Sequence, residues 1–461
     1  MSIFAPEYIC FLSLAWVGFG LVQVCVGRRG LLPFLIVLNA FFVAFSGFQS
    51  LIALTLSVAF NYSVLSAIRR TSGVNPLRAL VSVGIAADVL LIFLPKILKL
   101  SGSPVFFLGT SYYSIQQIMV LVDLYQVKTL SDKEPNFPCQ SFVGYCSFVS
   151  FFGQLTAGPI STWKQTGKAL SQPELPSELE VFRGILIFAR GLFQKLVISG
   201  VFTQFSNALF ASEAPSGRES AVGLALGYLS LYFDFSGYTD MAIGTGFLFG
   251  VHLPLNFNQP LNAVSPSEFW SKWHMTLTGF IKNYIYFPFV RAYGGDSRRA
   301  KLALVFSMGL VGIWHDLTLR YLLFGLLHGL GMIALPWQSP AKGKKWQQRW
   351  SWLFTQAYVV FTMAFFLSPN LAVTREVLTS FLVVSRPSGR VFAGIEAVDK
   401  GLCLLALVYT FAHVRGNKNT LQELGKAVPG WRLWFWFVAI SLISLMFLNG
   451  GIPKNFVYAD F

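Results

Sequence analysis

Charged residues are scarce in this chain of 461 residues: Asp, Glu, Lys and Arg make up 12% of it, whereas 54% of its residues are hydrophobic. Soluble proteins carry about 25% charged residues, so there is too little charge to cover a surface that faces water. The composition excludes a water-soluble globular protein and predicts that lipid is the main solvent. The net charge of +15 lies in short segments between apolar runs, which is typical of the positive-inside rule and not of a nucleic-acid-binding domain.

Cysteine is also scarce, and the five cysteines form neither a CxxC motif nor a Cys/His ligand spacing. Neither a disulfide framework nor a zinc site is predicted. GxSxG, GxxxxGK[ST] and HExxH motifs are absent as well. His274 and His315 lack a third ligand at a matching spacing, so we expect no bound metal.

Long apolar runs, by contrast, recur along the whole chain. A membrane helix takes about 20 apolar residues, so we expect a single domain over 1–461 with roughly ten to twelve transmembrane helices. Several later runs, such as Leu302 to Trp314, are too short to cross a bilayer and predict re-entrant or interfacial helices around an enclosed cavity. The predicted fold class is therefore an all-α polytopic integral membrane protein.

Polar side chains concentrate in one aromatic-rich stretch, from Tyr232 to Val290. They include Asp234, Asp240, Asn256, His274 and Asn283. Polar groups at membrane depth are costly and persist where they pair with one another or face an aqueous or ligand-filled cavity. An interfacial aromatic belt with its polar partners is the alternative interpretation.

Histidine is the natural candidate for proton chemistry near neutral pH. The chain has five histidines: His252, His274, His315, His328 and His413. His315 ends the apolar run from Leu302, which predicts a position near the membrane interior. His328 precedes Gly329 and is predicted to be structural, bonding a carbonyl across a close helix contact. A helix–helix hydrogen bond is the alternative role for any single membrane histidine.

A series of motifs follows in order along the middle of the chain. It runs Gly109-Thr-Ser-Tyr-Tyr, Phe151-Phe-Gly-Gln-Leu-Thr-Ala-Gly-Pro, Tyr232-Phe-Asp-Phe-Ser-Gly-Tyr, Pro254-Leu-Asn-Phe-Asn-Gln-Pro, Glu268-Phe-Trp-Ser-Lys-Trp-His and Gly312-Ile-Trp-His. From about Gly109 to Gly329 the chain resembles the membrane-bound O-acyltransferase (MBOAT) family. More specifically, it is similar to the bacterial branch that acetylates alginate or peptidoglycan or transfers D-alanine to teichoic acid.

The resemblance implies an acyltransferase whose helices surround a central tunnel. His315 matches the hallmark catalytic histidine of the family and His274 a second polar active-site position. In this interpretation neutral His315 removes the proton of the acceptor hydroxyl, and His274 or its neighbours orient the carbonyl or stabilise the oxyanion. The expected acyl donor is acetyl-CoA, with no tightly bound cofactor, and an acetyl-histidine intermediate is an alternative route.

Five further residues are predicted to line the tunnel or to support the site: Asp234, Asp240, Asn283, Asp316 and His328. Two of them stand where this sequence departs from the family pattern. Lys282-Asn283 replaces the usual Arg-Asp, and Asp316 follows His315 where glycine is usual. A carboxylate beside an imidazole would favour its charged form.

The resemblance also implies a multi-pass protein of the bacterial cytoplasmic (inner) membrane. Its expected partners are an extracytoplasmic hydrolase-like acetyltransferase and a polysaccharide or peptidoglycan acceptor. The C-terminal segment Asn455–Phe461 is similar to the aromatic tail of this branch, so Tyr458 is predicted to relay the acyl group outward. An interfacial aromatic anchor is an alternative at least as well supported for Tyr458.

Other functions remain open at the level of sequence. Within the acyltransferase class they are D-alanyl transfer from a carrier protein and acylation of a protein or lipid. A proton-coupled transporter or channel could use the same membrane histidines and aspartates as a relay, although the sequence shows no internal repeat. An inactive scaffold that recruits the partner is a third possibility.

Overall fold

The fold is given by a computed structural model that describes residues 6–130, 141–334, 345–383, 391–415 and 430–449. All regular secondary structure in these ranges is helical, and they contain no strand. The helices are α1 (Pro6–Cys25), α2 (Arg28–Phe45), α3 (Phe48–Arg70), α4 (Val74–Leu100), α5 (Thr110–Leu130), α6 (Phe142–Ser150), α7 (Lys168–Ser171), α8 (Glu178–Phe193), α9 (Gly200–Phe210), α10 (Gly217–Leu248), α11 (Pro266–Lys272), α12 (Met275–Phe280), α13 (Phe287–Ala292), α14 (Ser297–His315), α15 (Leu319–Ala334), α16 (Lys345–Leu367), α17 (Leu371–Ser380), α18 (Ala397–Arg415) and α19 (Trp431–Asn449). π-helical turns cover Trp163–Gly167, Gln194–Ser199 and Ile281–Tyr286, and a 3₁₀ turn covers Pro260–Asn262.

Seven helical segments within these ranges are long and apolar enough to cross a membrane. They are α1, α2, α3, α4, the continuous segment Glu178–Phe210, α16 and α18. Large apolar side chains such as Leu14 and Val24 are 71% and 82% exposed, as expected where lipid is the solvent. The all-α polytopic fold is confirmed. Fewer spans are found in these ranges than the roughly ten to twelve expected, partly because helices such as α15 are short.

The chain divides into two compact units. The first comprises the described residues of 1–188, 238–255 and 427–431, and the second those of 189–237, 256–426 and 432–461. Helices α8 and α10 each contribute to both units. The expected single domain over 1–461 stays a prediction.

An aromatic cluster forms part of the core of the first unit. The Phe11 ring lies edge-on to Phe152 at 5.2 Å, and Phe152 lies edge-on to Phe249 at 5.4 Å. The Tyr8 hydroxyl, fully buried beside this cluster, hydrogen-bonds with the Thr245 hydroxyl at 3.2 Å. Edge-on aromatic pairs stabilise beyond the area that they bury, which fixes α1 against the end of α10.

The first unit also holds a polar cluster between α3, α4 and α5. Asp88, 1% exposed, accepts hydrogen bonds from Asn61 Nδ2 at 3.0 Å and Gln117 Nε2 at 3.2 Å. Gln117 also donates to the Ser57 hydroxyl at 2.8 Å and accepts from the Tyr145 hydroxyl at 3.3 Å. The hydrophobic effect does not drive membrane helices together, because lipid tails are as apolar as the helix faces. These hydrogen bonds therefore stabilise the packing of the helices.

In the second unit, α14 and α15 form a tight helical hairpin. A Cβ atom at Gly312 would collide with the Tyr321 carbonyl, and one at Gly325 with the Met308 carbonyl. Small residues allow membrane helices to approach at backbone distance. The Arg320 guanidinium, at the start of α15, donates to the Phe366 carbonyl at 2.8 Å. The hairpin and the end of α16 therefore hold the C-terminal end of α14, where His315 lies.

Candidate active site

His274 stands at a sharp turn between α11 and α12. α11 begins with a cap in which the Ser265 hydroxyl accepts from the Glu268 backbone N–H at 3.1 Å, and Pro266 takes the first helical position. After this short helix ends, His274 adopts φ 43° and ψ 53° in the left-handed region. That conformation costs a residue other than glycine about 1–2 kcal/mol. Such strain in a buried polar residue is typical of functional sites.

The turn is held by the segment that carries Asn256. The Met275 backbone N–H donates to the Asn256 carbonyl at 2.9 Å, and the Asn258 N–H donates to the Lys272 carbonyl at 2.9 Å. The Asn256 side-chain oxygen accepts from the Thr276 hydroxyl at 2.6 Å and from the Thr276 backbone N–H at 3.3 Å. The same oxygen lies 3.3 Å from His274 Nδ1.

The His274 imidazole is enclosed by protein and is 1% exposed. Its ring lies edge-on to Phe235 of α10 at 4.8 Å and to Trp314 of α14 at 6.2 Å. Burial lowers the pKa of His274 to about 3, because an imidazolium would lose its hydration here. The imidazole is therefore neutral at physiological pH.

His315 is the last residue of α14 and is 3% exposed. Its ring lies edge-on to Phe366 at 5.1 Å, stacks with Tyr321 at 6.1 Å and contacts Trp314 at 4.8 Å. Trp314 therefore contacts the rings of both His274 and His315. The two histidines predicted from the sequence lie far apart along the chain, and both contact the Trp314 ring.

His328, on α15, is fully buried but makes a different kind of contact. Its Nε2 lies 2.9 Å from the Thr362 hydroxyl of α16. That hydroxyl donates its only proton to the Val359 carbonyl at 2.7 Å, so His328 must donate Nε2–H to it. His328 thus joins two helices, as a structural histidine would, but through a hydroxyl and not through the expected carbonyl. Gly329 does mark a close contact, since a Cβ there would lie 2.8 Å from Val305 Cα.

Asp234 forms a buried ion pair with Lys195, whose side chains are 6% and 4% exposed. Lys195 lies in the π-helical turn Gln194–Ser199 and Asp234 on α10. The two segments approach closely because glycines face each other: a Cβ at Gly237 would lie 2.6 Å from the Gly191 carbonyl oxygen. Asp234 precedes Phe235, so the ion pair anchors the part of α10 that packs on His274.

The remaining candidates are Asp240, Asn283, Asp316 and Tyr458. Asp240 is buried further along α10, in the first unit. Asn283 is exposed on the π-helical turn Ile281–Tyr286. Asp316 is partly exposed and accepts a hydrogen bond from the Leu317 N–H at 2.9 Å. Tyr458 lies outside the described residues.

The residues with described positions contain no group of three or more His, Cys, Asp or Glu side chains that could hold a metal ion.

Lys195 and Asn256 have clear structural roles that were not predicted from the sequence. Lys195 carried a signal, because it is a lone lysine in an apolar run that starts at Val181, and such a cation at membrane depth needs a partner. Asn256 stood in the polar stretch and in the motif Pro254-Leu-Asn-Phe-Asn-Gln-Pro, without a role of its own. Its bond to His274 depends on a chain reversal that no local pattern specifies.

The fold and site define a class: a polytopic membrane protein whose helices bury two histidines against one tryptophan. The chain belongs to the membrane-bound O-acyltransferase (MBOAT) family, whose model matches residues 35–375. It is therefore an acyltransferase, and the family resemblance found in the sequence is confirmed.

Named relatives occur within this family. A peptidoglycan O-acetyltransferase of Helicobacter pylori is 31% identical over 418 residues, covering 81% of this chain and 78% of the relative. A Pseudomonas aeruginosa protein named "Probable alginate O-acetylase AlgI" is 28% identical over 58% of this chain and 49% of its own length. A teichoic acid D-alanyltransferase of Bacillus subtilis is 26% identical over 58% of this chain and 70% of the relative.

Proposed function

We propose that this protein is an O-acetyltransferase of the bacterial cell envelope. It would take an acetyl group from a cytoplasmic thioester, with acetyl-CoA as donor, and pass it across the cytoplasmic membrane for O-acetylation of a polysaccharide or peptidoglycan. The observation that carries the proposal is the meeting of two buried histidines, His274 and His315, on Trp314 in a member of an acyltransferase family. The names of its two acetylating relatives support the acetyl group and the polymer acceptor.

The reaction needs a base within a site that excludes water. His315 takes the proton of the acceptor hydroxyl as its oxygen attacks the thioester carbonyl, and the carbon–sulfur bond breaks. The proton then passes from the imidazolium to the thiolate, which leaves as free thiol. Proton removal by a positioned imidazole contributes about 10² to 10⁴ in rate. His274, in contact with the same Trp314, binds a polar group of the reactants.

The polymer lies outside the cell, so the hydroxyl that attacks the thioester beside His315 is that of a relay residue, which then passes the acetyl group on. We assign Tyr458 as an acyl relay to an extracytoplasmic hydrolase-like acetyltransferase, which completes the transfer to the polymer. Its hydroxyl would accept the acetyl group as an ester and yield it to the partner. Full polymer acetylation in a Tyr458→Phe strain would contradict this assignment.

D-alanyl transfer from a carrier protein is the second candidate, and the B. subtilis relative favours it. Both reactions use a thioester and an acceptor hydroxyl, so the two histidines would serve either one. The donors differ in size and charge: D-alanyl carries an ammonium group that acetyl lacks.

The test is complementation of a deletion strain with wild type, His315→Ala or His252→Ala, all present in the membrane at equal levels. His252 is the matched control because its side chain is 61% exposed and pairs with Glu180 in the first unit. Base treatment of isolated envelope polymers releases acetate or D-alanine, and each is measured. We expect acetate to return with wild type and His252→Ala but not with His315→Ala.

Three results would contradict this expectation. Restoration of D-alanine alone would replace the acetyl assignment with D-alanyl transfer. Full restoration by His315→Ala would remove His315 from the chemistry. No change in either product with wild type would refute an envelope polymer as acceptor.

A further inference from the structure

The Asn256 side chain is fixed in orientation by the backbone. Its Oδ1 accepts from the Thr276 backbone N–H at 3.3 Å, and a peptide N–H can only donate. The Thr276 hydroxyl donates to the same atom at 2.6 Å. The atom that faces His274 is therefore the amide oxygen, which carries no proton.

This orientation determines the tautomer of His274. Its Nδ1 lies 3.3 Å from Asn256 Oδ1, so Nδ1 must carry the proton of that hydrogen bond. A neutral imidazole with Nδ1–H has its lone pair on Nε2. Among the residues with described positions, His274 Nε2 has no hydrogen-bond partner, although the residue is 1% exposed. A buried acceptor without a partner is costly, which points to a group that arrives with the substrate.

We propose that Asn256 is a positioning residue that holds His274 as the Nδ1–H tautomer, so that His274 meets the substrate as a hydrogen-bond acceptor through Nε2. The left-handed backbone at His274 and the Phe235 and Trp314 rings fix the direction of that lone pair. Neutral His274 then cannot stabilise an oxyanion, because its single N–H is engaged by Asn256. The catalytic consequence rests on the proposed acyl transfer, whereas the tautomer does not.

The chemical group that Nε2 recognises is a substrate N–H or O–H donor. Two sources carry one: the acceptor hydroxyl, whose single proton His274 would then take in place of His315, and the amide groups of a pantetheine arm that bears the thioester. Kinetics distinguish them. Loss of a bond to the hydroxyl lowers kcat, whereas loss of a bond to the arm raises KM for the acyl donor.

Charged and titratable groups stand on three of the described segments near the imidazole. On α10, Asp234 next to Phe235 pairs with Lys195, and on α14 the neighbouring titratable group is His315. On the segment of His274 itself, Lys272 pairs with Glu268 at 2.7 Å. A carboxylate introduced at position 256 would therefore add a negative charge directly beside His274 Nδ1.

The first experiment is ¹⁵N NMR of histidine-labelled full-length protein in lipid nanodiscs, with His274→Asn used to assign the signals. We expect protonated Nδ1 and unprotonated Nε2 from pH 8 to pH 5. Asn256→Asp should convert His274 to imidazolium at neutral pH, because a carboxylate that accepts Nδ1–H favours the charged ring. Protonated Nε2 in the wild type, or an unchanged titration in Asn256→Asp, would overturn the proposal whether or not the protein transfers acyl groups.

A matched variant separates tautomer control from damage to the turn. Thr276→Val removes the hydroxyl bond to Asn256 Oδ1 but keeps the backbone bond, so the Nδ1–H tautomer should persist. Asn256→Ala should shift protonation to Nε2. Loss of the tautomer in Thr276→Val to the same extent would assign the effect to the turn and refute the role of the Asn256 oxygen.

The second experiment measures acyl transfer by the same purified variants. We expect the rate of acyl transfer by Asn256→Ala to be about 10-fold or more below that of the wild type, which is the effect expected for the loss of one hydrogen bond in a buried site. Adding Asn256→Ala to His274→Asn should cause no further loss, because Asn256 acts through His274. Multiplicative losses in the double variant would show that Asn256 acts independently and would overturn the proposal.

Discussion

Removal of one member of the buried Lys195–Asp234 ion pair should destabilise the protein near the candidate active site. Lys195→Met removes a cation whose side chain is 4% exposed and leaves the Asp234 carboxylate, 6% exposed, without its ammonium partner. Removing one member of a buried pair costs about 3–5 kcal/mol, because the other charge stays desolvated. We expect the midpoint of thermal unfolding to fall by roughly 3–5 °C.

The companion double variant tests the cause of this loss. Lys195→Met with Asp234→Leu removes both charges, and apolar replacements of buried pairs are often neutral or stabilising. The double variant should therefore recover most of the lost stability. Phe235 follows Asp234 and packs on His274 at 4.8 Å. If the ion pair also positions this part of α10, the double variant should not recover full acyl-transfer activity.

The assay is the temperature at which half of the detergent-solubilised protein leaves the monodisperse peak in size-exclusion chromatography. Lys272→Met is the matched control, because Lys272 and Glu268 form an ion pair in the same unit with side chains 24% and 26% exposed. A partly exposed pair of this spacing contributes only about 0.3–0.5 kcal/mol. Equal shifts for Lys195→Met and Lys272→Met, or a double variant less stable than Lys195→Met, would refute the reasoning.

Three further predictions concern helix packing, pH dependence and the first unit. Gly312→Ala should lower the free energy of unfolding by about 1–3 kcal/mol and reduce acyl transfer, because its Cβ would overlap the α15 backbone. Gly279→Ala, with open space at its Cβ, should leave the unfolding midpoint unchanged or higher. His274 takes up a proton near pH 6.5 when unfolded but only near pH 3 when folded, so stability falls as pH drops below 6.5. The loss at pH 5 is about 2 kcal/mol, and His274→Asn should flatten the dependence of the unfolding midpoint on pH; equal slopes would count against a buried neutral imidazole. Gln117→Leu leaves Asp88 with one amide donor fewer and should cost about 2–3 kcal/mol, whereas an unchanged midpoint would show that the cluster contributes no stability.

The overall architecture could be predicted because membrane helices leave a strong local signal. Long apolar runs predicted membrane-spanning helices, and α1 to α4 are such helices in the structure, while the scarcity of charge excluded a soluble fold. The number of spans was harder to predict. Glu178–Phe210 forms one continuous segment through a π-helical turn, and α15 is shorter than a bilayer requires.

Part of the site could also be predicted. His274 and His315 were singled out as histidines in ordered motifs, and the structure places both against Trp314. Their chemical roles stay predictions. Asn283 was included for its place in a motif but is exposed. The residue type could be predicted because imidazole chemistry is local, whereas burial depends on which helix face packs.

The sequence by itself determined the solvent, the helical fold class, the family and the pair of histidines, because each depends on composition or on residues close together in the chain. Only the tertiary structure decided that Trp314 joins the two histidines, that Lys195 neutralises Asp234, and that Asn256 orients His274. These contacts bring together residues from separate helices and turns. They depend on glycine-mediated helix approach and on one left-handed turn, and no local pattern encodes which distant groups will then meet.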